Sequence, residues 1–267
     1  MSFLALILIV VLEKLTSLRA LVQRDGLWLR CLAYVEAHQC APWLAHLLLV
    51  GLPLAVLALV LLVIEQWLYG WLALPVHLLV LLYSVGRGDM RAALGPCKDA
   101  LRRGDGQGAL YAAERDLGIR PTGELLPAVQ EQLVWRAYEG FFAVIFWYAL
   151  LGPIGALGYR LVALSAQHSQ APTRKQAMRI RHALDWLACR VFALSVALVG
   201  HFAAVNQRLM HELLNLTSSA QTLVTQAALA ACDQLPEDVD SLAVLWLLIV
   251  RATVLWYAGL ALLAIVF

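Results

Sequence analysis

Charged residues are scarce in this sequence. They make up 14% of its 267 residues, where an ordinary soluble domain has about 25%. Hydrophobic residues reach 62%, where about 45–50% is usual. A soluble fold cannot bury that much apolar surface, so a membrane is the expected solvent. The net charge is only +2, with no basic arm and no interleaving of aromatic and basic residues, which excludes nucleic acid as a partner. The five cysteines are odd in number and form no C-x-x-C pair, so neither a disulfide framework nor a zinc ribbon is present. The tightest cluster, Cys31, His38 and Cys40, reads as a helical turn with incidental thiols, and no metal centre is assigned. Signature motifs are missing as well: no phosphate loop, no G-x-S-x-G elbow, no H-E-x-x-H and no dinucleotide fingerprint. Gly86-Arg87-Gly88-Asp89 and Gly104-Asp105-Gly106-Gln107-Gly108 are glycine-rich, but neither follows a strand, and both read as turns and caps.

Long apolar runs are what the sequence has instead. Leu44 to Ile64, Trp67 to Val85, Ala183 to Ala204 and Leu242 to Phe267 are each near the roughly 20 residues that span a bilayer. Glu65-Gln66 separates the first two, which therefore pair as a tight antiparallel hairpin. Trp43, Trp67, Tyr69, Trp71 and Trp186 lie near segment edges, where interfacial aromatic belts form. Phe3 to Leu12 is too short to span alone and lacks the basic start and cleavage site of a signal peptide. It is expected to pack inside the bundle with Glu13 and Lys14 turned from lipid.

Phe141 to Leu164 admits two readings, because Gly152-Pro153-Ile154-Gly155 interrupts it. Proline removes an amide donor and glycine permits a reversal. The stretch is either one kinked crossing or two half-helices in a re-entrant hairpin. Basic loops stay cytoplasmic, and those before Leu44 and after Val85 hold Lys14, Arg19, Arg24 and Arg30, then Arg87, Arg91, Lys98, Arg102, Arg103, Arg115, Arg120 and Arg136. Only the re-entrant reading also keeps Arg174, Lys175, Arg179 and Arg181 on that side. It then places Asp233, Glu237, Asp238 and Asp240 opposite.

Among the polar stretches, Asp105 as N-cap and Gly118 as the residue beyond the end predict a helix over Gly106–Leu117. A second helix begins near Pro127 and runs into the membrane through Phe142. Asn206 to Ala231 is expected to continue the third membrane helix outward.

The candidate site residues start on the helix that enters the interrupted segment. Glu131, Trp135, Tyr138, Glu139, Phe142 and Phe146 recur at helical spacing and so share one face. Charge at membrane depth is costly and normally faces a cavity or a partner. Glu131 and Glu139 therefore either line a pocket for a cation, a metal-nucleotide or a base, or Glu139 pairs with Arg136 while Glu131 is solvated. Arg160, Arg190 and Arg251 lie in or beside apolar segments, where arginine snorkels to headgroups or meets an acidic partner. Tyr159 precedes Arg160, and Asp185 lies near Arg190. His77 and His201 read as ordinary histidines with a hydrogen-bond partner.

The run from Phe146 to Arg160, Phe-Trp-Tyr-Ala-Leu-Leu-Gly-Pro-Ile-Gly-Ala-Leu-Gly-Tyr-Arg, resembles the signature of the CobD/CbiB superfamily. Leu184-Asp185-Trp186-Leu187-Ala188-Cys189-Arg190-Val191 is similar to its next helix, and the likeness covers about Ser84 to Gly200. The superfamily includes ATP-dependent adenosylcobinamide-phosphate synthases. In the synthases' E-S-V-A-E-N-x-x-D stretch, Glu131 keeps the first glutamate, Trp135 and Arg136 replace Glu-Asn, and Glu139 replaces Asp. Ala163, Leu164, Ser165 and Ala166 stand where the synthases read N-T-L-D-S, which removes oxygen donors that magnesium and phosphate chemistry needs.

The chain looks instead like the non-synthase AmpE branch, on its Leu-Asp-Trp helix ending in Gly200-His201 and on Glu13-Lys14 after a short apolar start. That resemblance implies a regulatory modulator of the bacterial inner membrane, linked to β-lactamase induction and cell-wall recycling. The retained pocket would have Glu131, Trp135, Tyr138 and Glu139 on one side and Tyr159, Arg160, Asp185 and Arg190 on the other. Its ligand would be wall-derived or a nucleotide. The alternative is a ligase or transferase using a magnesium-nucleotide cofactor; a transporter would need paired broken helices, and only one break is clear.

The expected fold is all-α: a polytopic membrane bundle with short cytoplasmic helices. Its segments are an N-terminal helix and basic stretch (1–41), a transmembrane hairpin (42–85), a cytoplasmic helical segment (86–138), a membrane core (139–204), an extramembrane segment (205–241) and a last transmembrane helix (242–267).

Overall fold

The computed structural model describes residues 25–38, 41–65, 73–86, 90–120, 123–213, 219–232, 235, 236 and 238–266. These residues are 89% helical, with no strand among them. Four helical runs are long and apolar enough to cross a membrane: Pro42–Ile64, Leu125–His168, Ala171–Val199 and Ser241–Leu262. The expectations for Phe3–Leu12, Glu13, Lys14 and the 66–72 junction lie outside the described residues, as does Cys40. By internal contacts the chain divides into two compact units. One comprises Met1–Val85, Ala143–Asp185 and Leu260–Phe267; the other comprises Gly86–Phe142 and Trp186–Gly259.

In the first unit, α1 (Gly26–Ala37) is followed by the long helix α2, built from Pro42–His46, a π-helical turn Leu47–Gly51 and Leu52–Glu65. The shorter α3 (Ala73–Ser84) is the described part of the second apolar run. Leu57 and Leu61 of α2 pack with Ala73 of α3, and Val76 and Val80 join them, as the hairpin reading requires. Trp28 and Leu32 of α1 pack with Ala45 and Leu49 of α2 and with Leu161 and Leu164 farther along the chain. Much of α2 still shows large apolar side chains outward (Leu52, Val56, Leu59 and Val63 among them), a surface suited to lipid contact.

α7 (Ala143–His168) is broken at Gly152, where φ is 64° and ψ −152°. That region is essentially closed to any residue but glycine. In a straight helix Tyr148 would lie six residues, about 9 Å, short of Ile154. Instead Tyr148 shares a 2.8 Å hydrogen bond with His77, while Ile154 and Leu157 join Val76 and Val80 of α3 against the cluster of Leu57, Leu61 and Ala73. A Cβ on Gly155 would meet the Trp147 carbonyl oxygen, eight residues earlier. The chain therefore doubles back at Gly152, as the re-entrant reading has it. Asp240, however, does not lie opposite the basic loop as that reading expects, because it pairs with Arg102 at 2.8 Å. From there the returning arm runs antiparallel to α2: Gly158 faces Leu54, and Leu161 and Leu164 reach Ala45 and Leu49.

α8 (Ala171–Val199) starts twelve residues before the apolar run at Ala183, because a polar stretch with Arg174, Lys175 and Arg179 forms its first turns. The Glu36 carboxylate accepts the Gln170 amide at 2.7 Å, which ties α1 to the start of α8.

In the second unit, α4 (Met90–Arg102) precedes α5 (Gly106–Ala112), which tightens into a π-helical turn Ala113–Leu117. Asp105 Oδ1 accepts the Gly108 amide at 2.9 Å, and Gly118 takes a left-handed φ of 65°, so both ends of this helix fall where the capping residues predict them. α6 (Leu125–Ala137) continues through a π-helical turn Tyr138–Phe142 toward α7. Outward continuation of α8 over Asn206–Ala231 is not what forms. α8 ends at Val199, and two separate helices follow, α9 (Phe202–Leu213) and α10 (Ala220–Ala231). The cause is Gly200, where any side chain would strike the Ala231 carbonyl oxygen at 2.5 Å, so α10 packs its end directly against the break. The last helix, α11, is Ser241–Val266.

Candidate functional site

The eight residues singled out from sequence fall into both units. Glu131, Trp135, Tyr138, Glu139 and Arg190 belong to the second; Tyr159, Arg160 and Asp185 belong to the first.

The first-unit group is the more tightly organised. The reversal at Gly152 brings the returning arm of α7 alongside the rest of the unit, and Tyr159 and Arg160 lie two turns past it. Tyr159 is 2% exposed, Arg160 5% and Asp185 2%. The Tyr159 hydroxyl donates to Asp185 Oδ1 at 2.9 Å, and Arg181 Nε donates to Asp185 Oδ2 at 3.3 Å. Both carboxylate oxygens are thus held, one by a neutral donor and one by a cation. Such pairing is required for a carboxylate to remain charged away from water. The sequence reading places Arg181 only with the basic loop, but the residue pairs with Asp185 at i,i+4 spacing on α8. No local pattern announces the Tyr159 bond, which joins residues 26 apart on different helices.

In the second unit the shared face of α6 does not continue as one stripe. The π-helical turn at Tyr138–Phe142 inserts an extra residue, so positions after it are rotated relative to those before. Glu131, before the turn, accepts a 3.0 Å hydrogen bond from Gln221 Nε2 of α10 and borders a polar groove of about 310 Å³ with Arg120, Glu124 and Gln132. Glu131 is therefore neither simply solvated nor deeply embedded. Glu139, within the turn, is buried at 9% exposed. Arg136 sends Nη2 to the Leu117 carbonyl at 2.6 Å. Trp135 and Tyr138 pack ring to ring at 5.4 Å. Tyr138 and Phe142 both meet Phe192 edge-on, and Phe142 also meets Trp256, whose indole N–H donates to Ser195 Oγ at 2.8 Å. These aromatic positions form the core of their unit. Arg190 lies over the Trp186 ring, 4.1 Å from its centre, and donates to the Trp186 carbonyl, a cation–π contact that suits an arginine in an apolar helix.

Among the described residues no group of three or more histidine, cysteine or acidic side chains is arranged to hold a metal ion. His77 and His201 behave as expected: His77 bonds to Tyr148, and His201 Nδ1 accepts the Ala204 amide at 3.3 Å.

Compared with known protein families, the chain matches the one described as Regulatory signalling modulator protein AmpE, over residues 1–265. The chain belongs to the AmpE family. The match spans the whole helical membrane bundle just described, and it makes the chain a regulatory membrane protein. No curated protein and no solved structure matches it. Within this AmpE-family chain, the Tyr159–Asp185–Arg181 cluster is a buried, hydrogen-bonded charged arrangement joining two helices. It concentrates charge inside the apolar part of the molecule, where charge is expensive.

Proposed function

We propose that this AmpE-family protein is a sensor of the bacterial inner membrane that acts in β-lactamase induction and cell-wall recycling, with Tyr159, Arg160, Asp185 and Arg181 as its ligand-responsive element. The observation that carries the reading is Asp185: a carboxylate only 2% exposed, shared between a tyrosine and an arginine on two apolar helices. A structural helix gains little from such a pair, since an apolar replacement of similar volume is often as stable. An anionic ligand, a wall-derived carboxylate or a nucleotide phosphate, competes with Asp185 for Arg181 and so changes how α7 and α8 are held together.

The test is to replace Asp185 by Asn, Arg160 by Gln and Tyr159 by Phe in the full chain. β-Lactamase induction by a sub-inhibitory β-lactam is then measured alongside the membrane-inserted amount of each variant. The proposal expects induction to change at least several-fold at normal insertion levels. Normal induction in all three variants would overturn it.

A further inference from the structure

A second site lies in the other unit, away from Tyr159, Arg160, Asp185 and Arg181. Where α8 stops at Gly200 and α10 ends at Ala231, a groove of about 330 Å³ opens against the first three turns of α11. Its floor is fixed by backbone. The His201 amide donates to the Ala231 carbonyl at 2.9 Å, and Gly200 leaves no room for a side chain against Ala231. Its walls are apolar, with Leu247 and Leu248 from α11, and its one full charge is Arg251.

Arg251 is the anomaly. It sits ten residues into a helix that reads as a membrane span, it is exposed, and it has no ion-pair partner among the described residues. α11 has 26 residues, about 39 Å of helix, against a hydrocarbon core of about 30 Å. Its Ser241 end follows directly on Asp240, which pairs with Arg102 at the exposed surface, and so lies at the polar edge of the span. Helical side chains lean toward the N-terminus, so the Arg251 guanidinium reaches back along the groove toward that interface. His201 stands at the N-cap of α9, which brings the positive end of that helix to the same groove.

We propose that this groove binds the phosphate headgroup of an anionic phospholipid, with Arg251 as its counter-ion and the Leu247–Leu248 wall against the upper acyl chain. Three features select a lipid over a soluble anion: the wall is apolar, the cation lies below the end of a membrane span, and the groove leads from one to the other. A guanidinium matches phosphate with two parallel donors, which a lysine in the same place could not offer.

The experiment uses the full chain, purified in a mild detergent and stripped of lipid. Phosphatidylglycerol, phosphatidylcholine and inorganic phosphate are titrated separately, with retained molecules counted by native mass spectrometry and thermal unfolding followed in parallel. The expected result is that phosphatidylglycerol is retained and raises the unfolding temperature, while inorganic phosphate does neither. Arg251→Gln should weaken phosphatidylglycerol retention at least tenfold. Leu247→Trp, which fills the groove and keeps the charge, should weaken it as well, so that a folding defect in one variant does not decide the outcome. Equal retention by the parent and both variants would overturn the site. Equal protection by inorganic phosphate would overturn the lipid assignment, and equal retention of phosphatidylcholine would overturn the preference for an anionic headgroup.

Discussion

Two ion pairs in this protein have the same chemistry and opposite surroundings. Arg102 and Asp240 meet at 2.8 Å with their side chains 54% and 60% exposed. Arg181 and Asp185 meet at 3.3 Å with theirs 13% and 3% exposed. Distance alone ranks the exposed pair as the stronger. Burial reverses that order, because water and salt screen the first pair while nothing comparable screens the second. The embedded pair is the one whose disruption the molecule cannot absorb: losing a single partner leaves a charge in an apolar setting. Losing one member of the exposed pair costs little, whereas losing one member of the embedded pair costs much.

The sharpest way to break this contrast is Asp185→Ala. It should destabilise the full chain by about 3–5 kcal/mol, the cost of stranding one member of a buried pair, as read by unfolding titration in mixed micelles. A change no larger than that for Asp240→Asn would erase the distinction. Tyr159→Phe removes only the neutral donor to the same carboxylate and should cost about 1.5–3 kcal/mol in the same titration. In the extramembrane part, Asp105→Ala deletes a helix cap. It should cost about 1 kcal/mol, with faster hydrogen exchange confined to the amides of Gly106–Ala112.

The smallest effect belongs to Asp240, whose carboxyl is held below its ordinary value of 3.8 by the hydrogen bond from Arg102 and by that residue's charge. A depressed carboxyl contributes its stability in full above the unfolded value and loses it as pH falls through the folded one. Asp240→Asn should therefore leave neutral-pH unfolding almost unchanged and flatten the loss of stability below about pH 4. An unfolding series from pH 3 to pH 7 reads this out; identical acid limbs for parent and variant would remove the pair from the account.

Much of the architecture was legible because a bilayer demands long apolar runs, and Leu44–Ile64 and Leu242–Phe267 supply them with Arg251 as the one Asp, Glu, Lys or Arg in either run. Asp105 and Gly118 were legible because capping chemistry is local. Gly152-Pro153 announced a break and left its angle open, since φ and ψ at one glycine decide between a kink and a reversal. The early start of α8 was hidden because its first turns are polar and hydropathy passes over them. The π-helical turn at Tyr138–Phe142 was hidden for another reason: no residue type marks an extra residue per turn, so the stripe through Glu131 and Phe146 looked continuous. For the site, the Arg181–Asp185 spacing could be read in the sequence, and the Tyr159 contact could not, because it depends on how the reversed arm of α7 packs.

Doubling back at Gly152 also bears on how passages through the bilayer are counted. The apolar stretch from Ala143 to His168 is long enough to be scored as a passage from one side to the other, yet its second arm runs back beside its first. A hydropathy profile therefore counts one passage where the backbone makes a turn. A reporter fused at Ser169–Gln170 therefore shares its compartment with the point where Ala143 enters.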